Sequence, residues 1–372
     1  MQPEPQRSAT LDVAIGIVGL WLSGGFIWDS WAHLHVGVES FFTPYHGVFY
    51  AAMLAGGIIL AGTALRNRKR GLRLLSAPYR RAMWGVPVFF AGGVGDLIWH
   101  SFFGVEDRIE AVTSPTHLII GFGVILLLSG PIGSALAARS HLKTLGAQLP
   151  LIFSLATVME FVRLGTSYAY DVGAALAFAP APALGASPDF FVATTMAQYK
   201  AGTGILIVLL QSLVLAGFAL WIACRFKPAF GAYTLLFICG DLMLAGALTN
   251  DTPLLAVRLA MDVVAGLVAD TLALRLEPRP DRPAALRIFG GAVPAACFAA
   301  YFAATIALQG TWWSWSLIVG AIALAAIAGA GLALTIDAPA PAPPLEDEVD
   351  LARPEVVFRG DDFAVAARNR GT

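Results

Sequence analysis

The stretch LDVAIGIVGLWLSGGFIWDSWAH, residues 11–33, indicates the fold class, because it is a long apolar run. An aspartate and a histidine lie at its end. A helix needs about 20 mostly apolar residues to cross roughly 30 Å of hydrocarbon. Such runs recur along the chain, which is 57% hydrophobic and only 13% charged. A typical soluble protein carries about 25% charged residues. The sequence therefore predicts an all-α, polytopic membrane protein built as a bundle of transmembrane helices.

Ten spans are predicted from the apolar runs, near residues 11–30, 46–65, 83–102, 115–137, 149–170, 202–224, 230–249, 253–275, 287–308 and 314–335. The first run lacks a small-residue cleavage site, so we expect a retained helix rather than a signal peptide. Three regions follow from this reading. Residues 1–140 form a four-helix membrane region, 141–336 a six-helix membrane region, and 337–372 a disordered tail rich in proline, alanine and charge.

The basic loops predict the orientation in the membrane. The loop at 66–81, RNRKRGLRLLSAPYRR, holds seven basic residues and no acidic one. Basic loops are enriched on the cytoplasmic side of a membrane, and the other basic loops fall on the same side of the alternation. Both termini are therefore predicted to be cytoplasmic, and the loops at 31–45 and 103–114 face outside. A bacterial inner or plasma membrane is the expected location.

A polar pattern at the outer end of the first run occurs twice. Residues 28–46 read WDSWAHLHVGVESFFTPYH, and residues 96–117 read DLIWHSFFGVEDRIEAVTSPTH. Each copy has an aspartate, a histidine four residues later and a Gly-Val-Glu triplet. Each then ends in a hydroxyl residue, proline, one further residue and histidine. Because both copies fall at the same place in consecutive helical hairpins, the first four helices are predicted to form a parallel internal repeat of two hairpins.

The repeated pattern predicts two metal sites. Residues four apart on a helix share a face, and threonine or serine followed by proline is suited to begin the next helix. The last histidine then lies in the first turn of that helix, where it can lean toward the aspartate. Two imidazoles and one carboxylate suit Cu(II), Zn(II) or Fe(II). The predicted ligands are Asp29, His33 and His46 in the first copy and Asp96, His100 and His117 in the second.

Loop glutamates are candidate hydrogen-bond acceptors for the imidazole N–H groups of these ligands; they are Glu39, Glu106 and Glu110. A simpler reading is that a histidine or aspartate at a helix end only anchors the membrane interface or caps a neighbouring helix. The duplication of the whole set favours metal binding over that reading. His35 lies outside the shared pattern and is interpreted as an interfacial residue rather than a ligand.

The first copy resembles the metal site of the C subunit of copper membrane monooxygenases, the particulate methane and ammonia monooxygenases. The matching features are the Asp-x-x-x-His, the thirteen-residue step to the next histidine and the Phe-Thr-Pro-x-His ending. The similarity covers roughly residues 10–135. It implies that Asp29, His33 and His46 are copper ligands.

The second copy resembles the neighbouring copper site of the same subunit. His100 and His117 match its histidines, whereas Asp96 stands where that family usually has asparagine. The step between the two histidines is also longer here. The added carboxylate puts in doubt which metal ion, or which oxidation state, this site prefers.

The resemblance implies copper as the cofactor and oxidation of a small apolar substrate, although copper binding is implied more strongly than hydroxylation. The chain from residue 149 onward departs from the family, because six further spans exceed what its C subunit carries. Two other readings stay open: a transporter or metal-handling protein for copper or zinc, and a structural protein braced by metals. Expected partners are the lipid bilayer and, for an oxygenase, other membrane subunits; no nucleic acid is expected.

The later spans carry charged residues inside apolar runs, namely Glu160, Arg163, Asp241, Arg258, Asp262 and Asp270. A charge at mid-membrane costs on the order of 2.5–3.5 kcal/mol on insertion scales, so pairing is expected. Glu160 and Arg163 are three residues apart and predict a local pair, while Arg258 is expected to form an interhelical pair with Asp241 or Asp262. The competing interpretation is a proton or cation path along the helix face that Asp262 and Asp270 share.

Overall fold

The described elements of the chain are helices, which confirms the all-α class. The computed structural model describes residues 3–36, 42–104, 113–138, 142–166, 177, 190–241 and 252–336, with the backbone alone at 33, 34, 164, 165, 190–197 and 252. The helices are α1 (Ala9–His35), α2 (Pro44–Lys69), α3 (Ala77–Ala82), α4 (Gly85–Phe103), α5 (Pro115–Ala137), α6 (Leu145–Gly165), α7 (Phe190–Arg225), α8 (Ala232–Cys239), α9 (Thr252–Leu276), α10 (Pro283–Leu308) and α11 (Trp315–Ile336). The predicted tail at 337–372 lies outside the described residues.

Eight helical segments among the described residues are long and apolar enough to cross a membrane, which confirms a polytopic membrane protein. They correspond to predicted spans one to six, nine and ten. The seventh predicted span begins as α8, and the described range ends at Asp241. The eighth is α9, whose 25 residues suit a crossing but which carries four charged side chains. The cytoplasmic placement of the termini stays a prediction.

The two N-terminal hairpins bring their helices together at equivalent glycines. α1 packs against α2, and α4 packs against α5. A glycine lies one turn before each motif aspartate, Gly25 in α1 and Gly92 in α4. A β-carbon added to Gly25 would lie 2.9 Å from the Cα of Phe49, and one added to Gly92 would lie 2.9 Å from the backbone nitrogen of Ile120. The glycines therefore set how closely the second helix of each hairpin approaches the first.

A second close contact pairs one large and one small residue in each hairpin, but the helix that carries the small residue differs between the two hairpins. In the first hairpin, a β-carbon on Gly56 of α2 would lie 3.3 Å from Cγ1 of Val18 in α1. In the second hairpin, a β-carbon on Gly85 of α4 would lie 2.5 Å from the backbone nitrogen of Leu127 in α5. Val18 and Gly85 each stand eleven residues before the motif aspartate, so they are equivalent positions. The small residue is thus on the second helix in one hairpin and on the first helix in the other.

Contacts at both ends of the bundle show that α1 and α4 run in the same direction. At one end, the hydroxyl of Tyr79 in α3 donates to Oδ1 of Asp12 in α1 at 2.7 Å. At the other end, the phenol of Tyr50 in α2 interacts electrostatically with both Asp29 and Asp96. Both copies of the motif therefore lie at the same end, as the predicted parallel repeat requires.

Two hydrophobic clusters form the interior of the helical bundle. One is built around residues of α1 to α5, including Met53 and Phe89, and the other around later helices, including Tyr233 and Phe289. α6 packs against α1, α5, α7 and α8 and so joins the two clusters. Residues up to Asp337 form one compact unit. The division of this unit at residue 140 stays a prediction.

Replacing Gly25 by alanine is expected to destabilise the protein by about 1–3 kcal/mol, the usual effect of overpacking a close contact. The added methyl group would meet the backbone of Phe49, which outweighs the roughly 1 kcal/mol by which alanine favours a helix over glycine. The measurement is the unfolding temperature of the detergent-solubilised protein.

The neighbouring residue provides the matched control. A β-carbon on Gly24 would have no atom within 4 Å among the described residues, so Gly24→Ala is expected to leave the unfolding temperature unchanged or to raise it. Equal effects of the two substitutions would contradict the close-contact role of Gly25.

Candidate metal centre

The second helix of each hairpin begins with the same cap. α2 and α5 both start at the proline of the motif. The hydroxyl oxygen of Thr43 accepts a hydrogen bond from the backbone nitrogen of His46 at 3.3 Å, and that of Ser114 accepts one from His117 at 3.4 Å. This confirms the predicted cap in both copies. Each histidine is therefore the third residue of its helix.

The capping hydroxyl also holds the histidine ring. Nδ1 of His46 lies 3.1 Å from the Thr43 hydroxyl oxygen, and Nδ1 of His117 lies 2.6 Å from that of Ser114. A hydrogen bond at one ring nitrogen fixes the direction in which the other nitrogen points. In both copies Nε2 faces the preceding helix of the hairpin.

The Nε2 atoms meet the motif aspartates. Nε2 of His46 lies 3.6 Å from Oδ1 of Asp29, and Nε2 of His117 lies 3.5 Å from Oδ1 of Asp96. In the second copy, Nε2 of His100 also lies 3.3 Å from Oδ2 of Asp96. The predicted convergence of all three residues is therefore present in the second copy, and in the first copy the structure shows it for Asp29 and His46.

The second copy brings three ligand atoms together. Asp96, His100 and His117 each offer one, and these atoms all lie within 4.8 Å of one another. Asp96 is only 2% exposed, whereas the side chains of His100 and His117 are 12% and 27% exposed. The centre is thus buried at its carboxylate and accessible from the side of the histidines.

A hydrogen bond of His100 determines which of its two ring nitrogens faces Asp96 with a lone pair. Its Nδ1 lies 2.9 Å from the carbonyl oxygen of Gly104. A carbonyl only accepts, so Nδ1 carries a proton and Nε2 of the neutral ring carries a lone pair. That lone pair faces a carboxylate oxygen of Asp96 at 3.3 Å, and the two repel each other unless a proton or a metal ion lies between them. The donor set of two imidazoles and one carboxylate fits Cu(II), Zn(II) or Fe(II).

Thr116 is a component of the second centre that the sequence did not single out. Its hydroxyl donates to Oδ1 of Asp96 at 2.8 Å. The equivalent residue of the first copy is Tyr45, whose ring packs edge-on against Trp28 at 5.1 Å. The sequence feature that could have identified Thr116 is the hydroxyl residue between the proline and the histidine of the motif. The residue at this position, threonine in one copy and tyrosine in the other, therefore makes different contacts in the two copies.

The first centre is described only in part. The structure brings Asp29 and His46 together, and His33 lies four residues after Asp29 in α1, where its side chain is outside the described set. The three loop glutamates proposed as hydrogen-bond acceptors also lie outside it, and their role stays a prediction; they are Glu39, Glu106 and Glu110. His35 is exposed and stacks on Trp31 at 4.8 Å, as expected for an interfacial residue.

Tyr50 lies between the two centres, and the sequence pattern did not identify it. Its hydroxyl packs directly on Gly93 of α4, where a side chain would collide with it. Its ring lies 6.4 Å from that of His46, centroid to centroid. It interacts electrostatically with Asp29 and Asp96. Tyr50 therefore lies close to residues of both hairpins, His46 of the first and Gly93 of the second.

The buried charges of the later helices are centred on Asp241. Nη1 of Arg163 donates to its Oδ1 at 2.8 Å, and Nε of Arg258 donates to its Oδ2 at 2.9 Å. The expected interhelical pair of Arg258 with an aspartate is thus present. Asp262 lies close enough to this cluster to interact electrostatically with Asp241, Arg163 and Arg258. All four side chains are buried.

Glu160 and Asp270 bind other parts of the protein. Glu160 accepts a hydrogen bond from the hydroxyl of Ser23, which links α6 to α1. Asp270 accepts hydrogen bonds from the backbone nitrogens of Tyr233 at 3.0 Å and Thr234 at 3.2 Å. These groups begin α8, so Asp270 satisfies backbone donors that a helix start leaves without a helical partner. This role favours the structural interpretation of Asp270 over a cation path.

The fold and this site define a class: a helical membrane protein with a candidate Asp/His/His metal-binding group at one end of its bundle. Comparison of the chain with family models, curated proteins and solved structures finds no match. The similarity of the two motifs to copper membrane monooxygenases therefore stays an expectation from the residues themselves.

Replacing Asp241 by asparagine is expected to lower the free energy of unfolding by about 3–5 kcal/mol, because it leaves two buried guanidinium groups without their carboxylate. Chemical denaturation followed by circular dichroism in detergent measures the change. Glu277→Gln is the control, since Glu277 pairs with Arg279 and Arg282 at an exposed site. Such surface pairs contribute about 1 kcal/mol or less, and equal losses for both variants would contradict the assignment.

Proposed function

We propose that this chain is an integral membrane metalloprotein that binds a transition-metal ion at each of its two Asp/His/His centres. The observation that carries the proposal is the meeting of Asp96, His100 and His117, whose ligand atoms lie within 4.8 Å of one another. The resemblance of the motifs favours copper over zinc and iron. The ligands of the first centre would be Asp29, His33 and His46.

The residues around the second centre prepare its ligands for an ion. The Gly104 carbonyl and the Ser114 hydroxyl hold the Nδ1 atoms of His100 and His117, which leaves both Nε2 atoms directed at Asp96. Hydrogen bonds of this kind orient a ligand ring and raise its basicity. The first turn of α5 also disfavours a protonated His117, because a helix N-terminus carries positive potential. The neutral ring is the form that binds a metal.

The activity that we propose is a copper-dependent, monooxygenase-like oxidation of small apolar substrates. Copper held by two imidazoles and a carboxylate would keep coordination positions open and supply electron exchange with dioxygen. The aromatic residues Phe102 and Phe103, at the end of α4, are 78% and 68% exposed. They offer an apolar approach to the centre from the membrane for a substrate of that kind.

The purified protein is expected to hold about one transition-metal ion per centre, measured by elemental mass spectrometry. Replacing both His100 and His117 by alanine should remove the ion of the second centre, and adding His33→Ala and His46→Ala should remove the other. The helix cap survives these changes, because Ser114 accepts from the backbone nitrogen of residue 117. His35→Ala is the control and should retain the metal. Metal-free wild-type protein, or unchanged content in the fourfold variant, contradicts the proposal.

The alternative function is a membrane transporter or a copper- or zinc-handling protein. It is favoured by the buried charged cluster inside the later helices, in which Asp241 binds Arg163 and Arg258 and Asp262 is also buried. The oxidase proposal predicts oxygen consumption with a small apolar substrate and an electron donor, and loss of it in Asp29→Ala. The transporter alternative predicts metal flux into vesicles that Asp262→Asn abolishes while metal binding at the two centres persists. Whichever activity is absent in wild-type vesicles loses its support.

A further inference from the structure

A cavity of about 800 Å³ lies at the end of the N-terminal helices opposite the metal centres. Its walls come from the first turns of α1, the last turns of α2, the segment around α3 and residues 3–8, which precede α1. None of the six predicted metal ligands lines it. The cavity is thus a feature independent of the proposed function.

The N-terminal segment is fixed in place as one wall. Nη2 of Arg7 lies 2.8 Å from Oδ2 of Asp12, whose Oδ1 accepts from the hydroxyl of Tyr79 at 2.7 Å. Further along the segment, Oε1 of Glu4 accepts from the backbone nitrogen of Ala77, the first residue of α3, at 2.7 Å. These bonds tie residues 3–8 to both α1 and α3.

The polar end of the cavity carries uncompensated positive charge. The charged side chains that line it are Glu4, Arg7, Arg66 and Arg70. Glu4 is bound to the start of α3, and Arg7 is paired with Asp12, which does not line the cavity. Within the described ranges, the guanidinium groups of Arg66 and Arg70 have no hydrogen-bond or ion-pair partner. Both residues are exposed, so their guanidinium groups are accessible to a negatively charged ligand.

The other end of the cavity is apolar and opens toward the bilayer. Gly62 lies one turn of α2 before Arg66, and Ile59 and Ile58 lie one turn further on; all three line the cavity. Ile58 is 63% exposed, and Ala14 of α1 also lines this part of the cavity. The cavity therefore passes from cationic to apolar along α2.

We propose that this cavity binds an anionic phospholipid, with the phosphate at Arg66 and Arg70 and an acyl chain along Gly62 and Ile58. Basic pockets between transmembrane helices are suited to lipid headgroups, and a free phosphate ion would leave the apolar part of the cavity unfilled. The segment at residues 3–8 closes the headgroup end. The lipid would thereby hold α1, α2 and α3 together on the side away from the metal centres.

Native mass spectrometry of the full-length protein, titrated with phosphatidylglycerol or phosphatidylcholine, tests the proposal. Phosphatidylglycerol is expected to be retained at concentrations that leave phosphatidylcholine unbound. The double substitution Arg66→Gln with Arg70→Gln should weaken phosphatidylglycerol binding about 10- to 30-fold, from the usual contribution of a basic residue to anionic lipid binding. Arg68→Gln with Lys69→Gln is the matched control, because these residues share the helix end but do not line the cavity.

A substitution in the apolar part separates a built pocket from general surface attraction. A β-carbon on Gly62 would have no described atom within 4 Å, so Gly62→Leu fits the helix while filling the cavity and leaving its charge unchanged. It should reduce phosphatidylglycerol retention, with the unfolding temperature showing that the fold persists. The proposal is overturned by unchanged retention in Gly62→Leu, by equal losses in the two double variants, by equal binding of both lipids, or by displacement of the lipid with millimolar inorganic phosphate.

Discussion

One hydroxyl group in each N-terminal hairpin fixes both a helix start and the orientation of a histidine. Thr43 and Ser114 accept the backbone N–H of the histidine three residues later and also contact Nδ1 of its ring. The ring can then present only Nε2 to the preceding helix. The position of the aspartate is fixed in turn by the glycine one turn before it, which lets the two helices approach. The geometry of each centre therefore depends on a local cap and a local close contact.

Four buried aspartates of this protein differ in the groups that offset their negative charge. Asp12 faces Arg7, Asp241 faces two arginines, and Asp270 accepts from backbone N–H groups. Within the described ranges, Asp96 is contacted by two imidazoles and the hydroxyl of Thr116, although it is almost fully buried. A buried carboxylate is costly unless a positive charge or hydrogen bonds balance it. Of these four residues, Asp96 is the one whose described neighbours include two imidazole rings, which are common metal ligands, so the proposed cation is placed there.

The features that sequence reasoning recovered are those set by local chemistry. The apolar runs gave the helices, the Ser/Thr-Pro pairs gave the starts of α2 and α5, and the four-residue spacing gave the meeting of Asp96 with His100. The features it missed depend on residues far apart in sequence. Thr116 reaches a carboxylate 20 positions earlier, and Asp270 caps a helix 36 positions away. Tyr50 acquires its place between the centres only because α4 carries glycine where its ring packs, a pairing that no single-helix pattern contains.

The exchange of large and small residues between the hairpins has a consequence for membrane insertion. If α1 were to pair with α5 in the hairpin register, Val18 would face Leu127, whereas in the second hairpin the residue that faces Leu127 is Gly85. If α4 were to pair with α2, Gly85 would face Gly56 and leave a void. Both mismatched pairings lose packing, which is a main source of helix association in lipid. Two hairpins that share one sequence pattern thus differ in side-chain volume at this contact, which favours the pairing of each helix with the partner of its own copy.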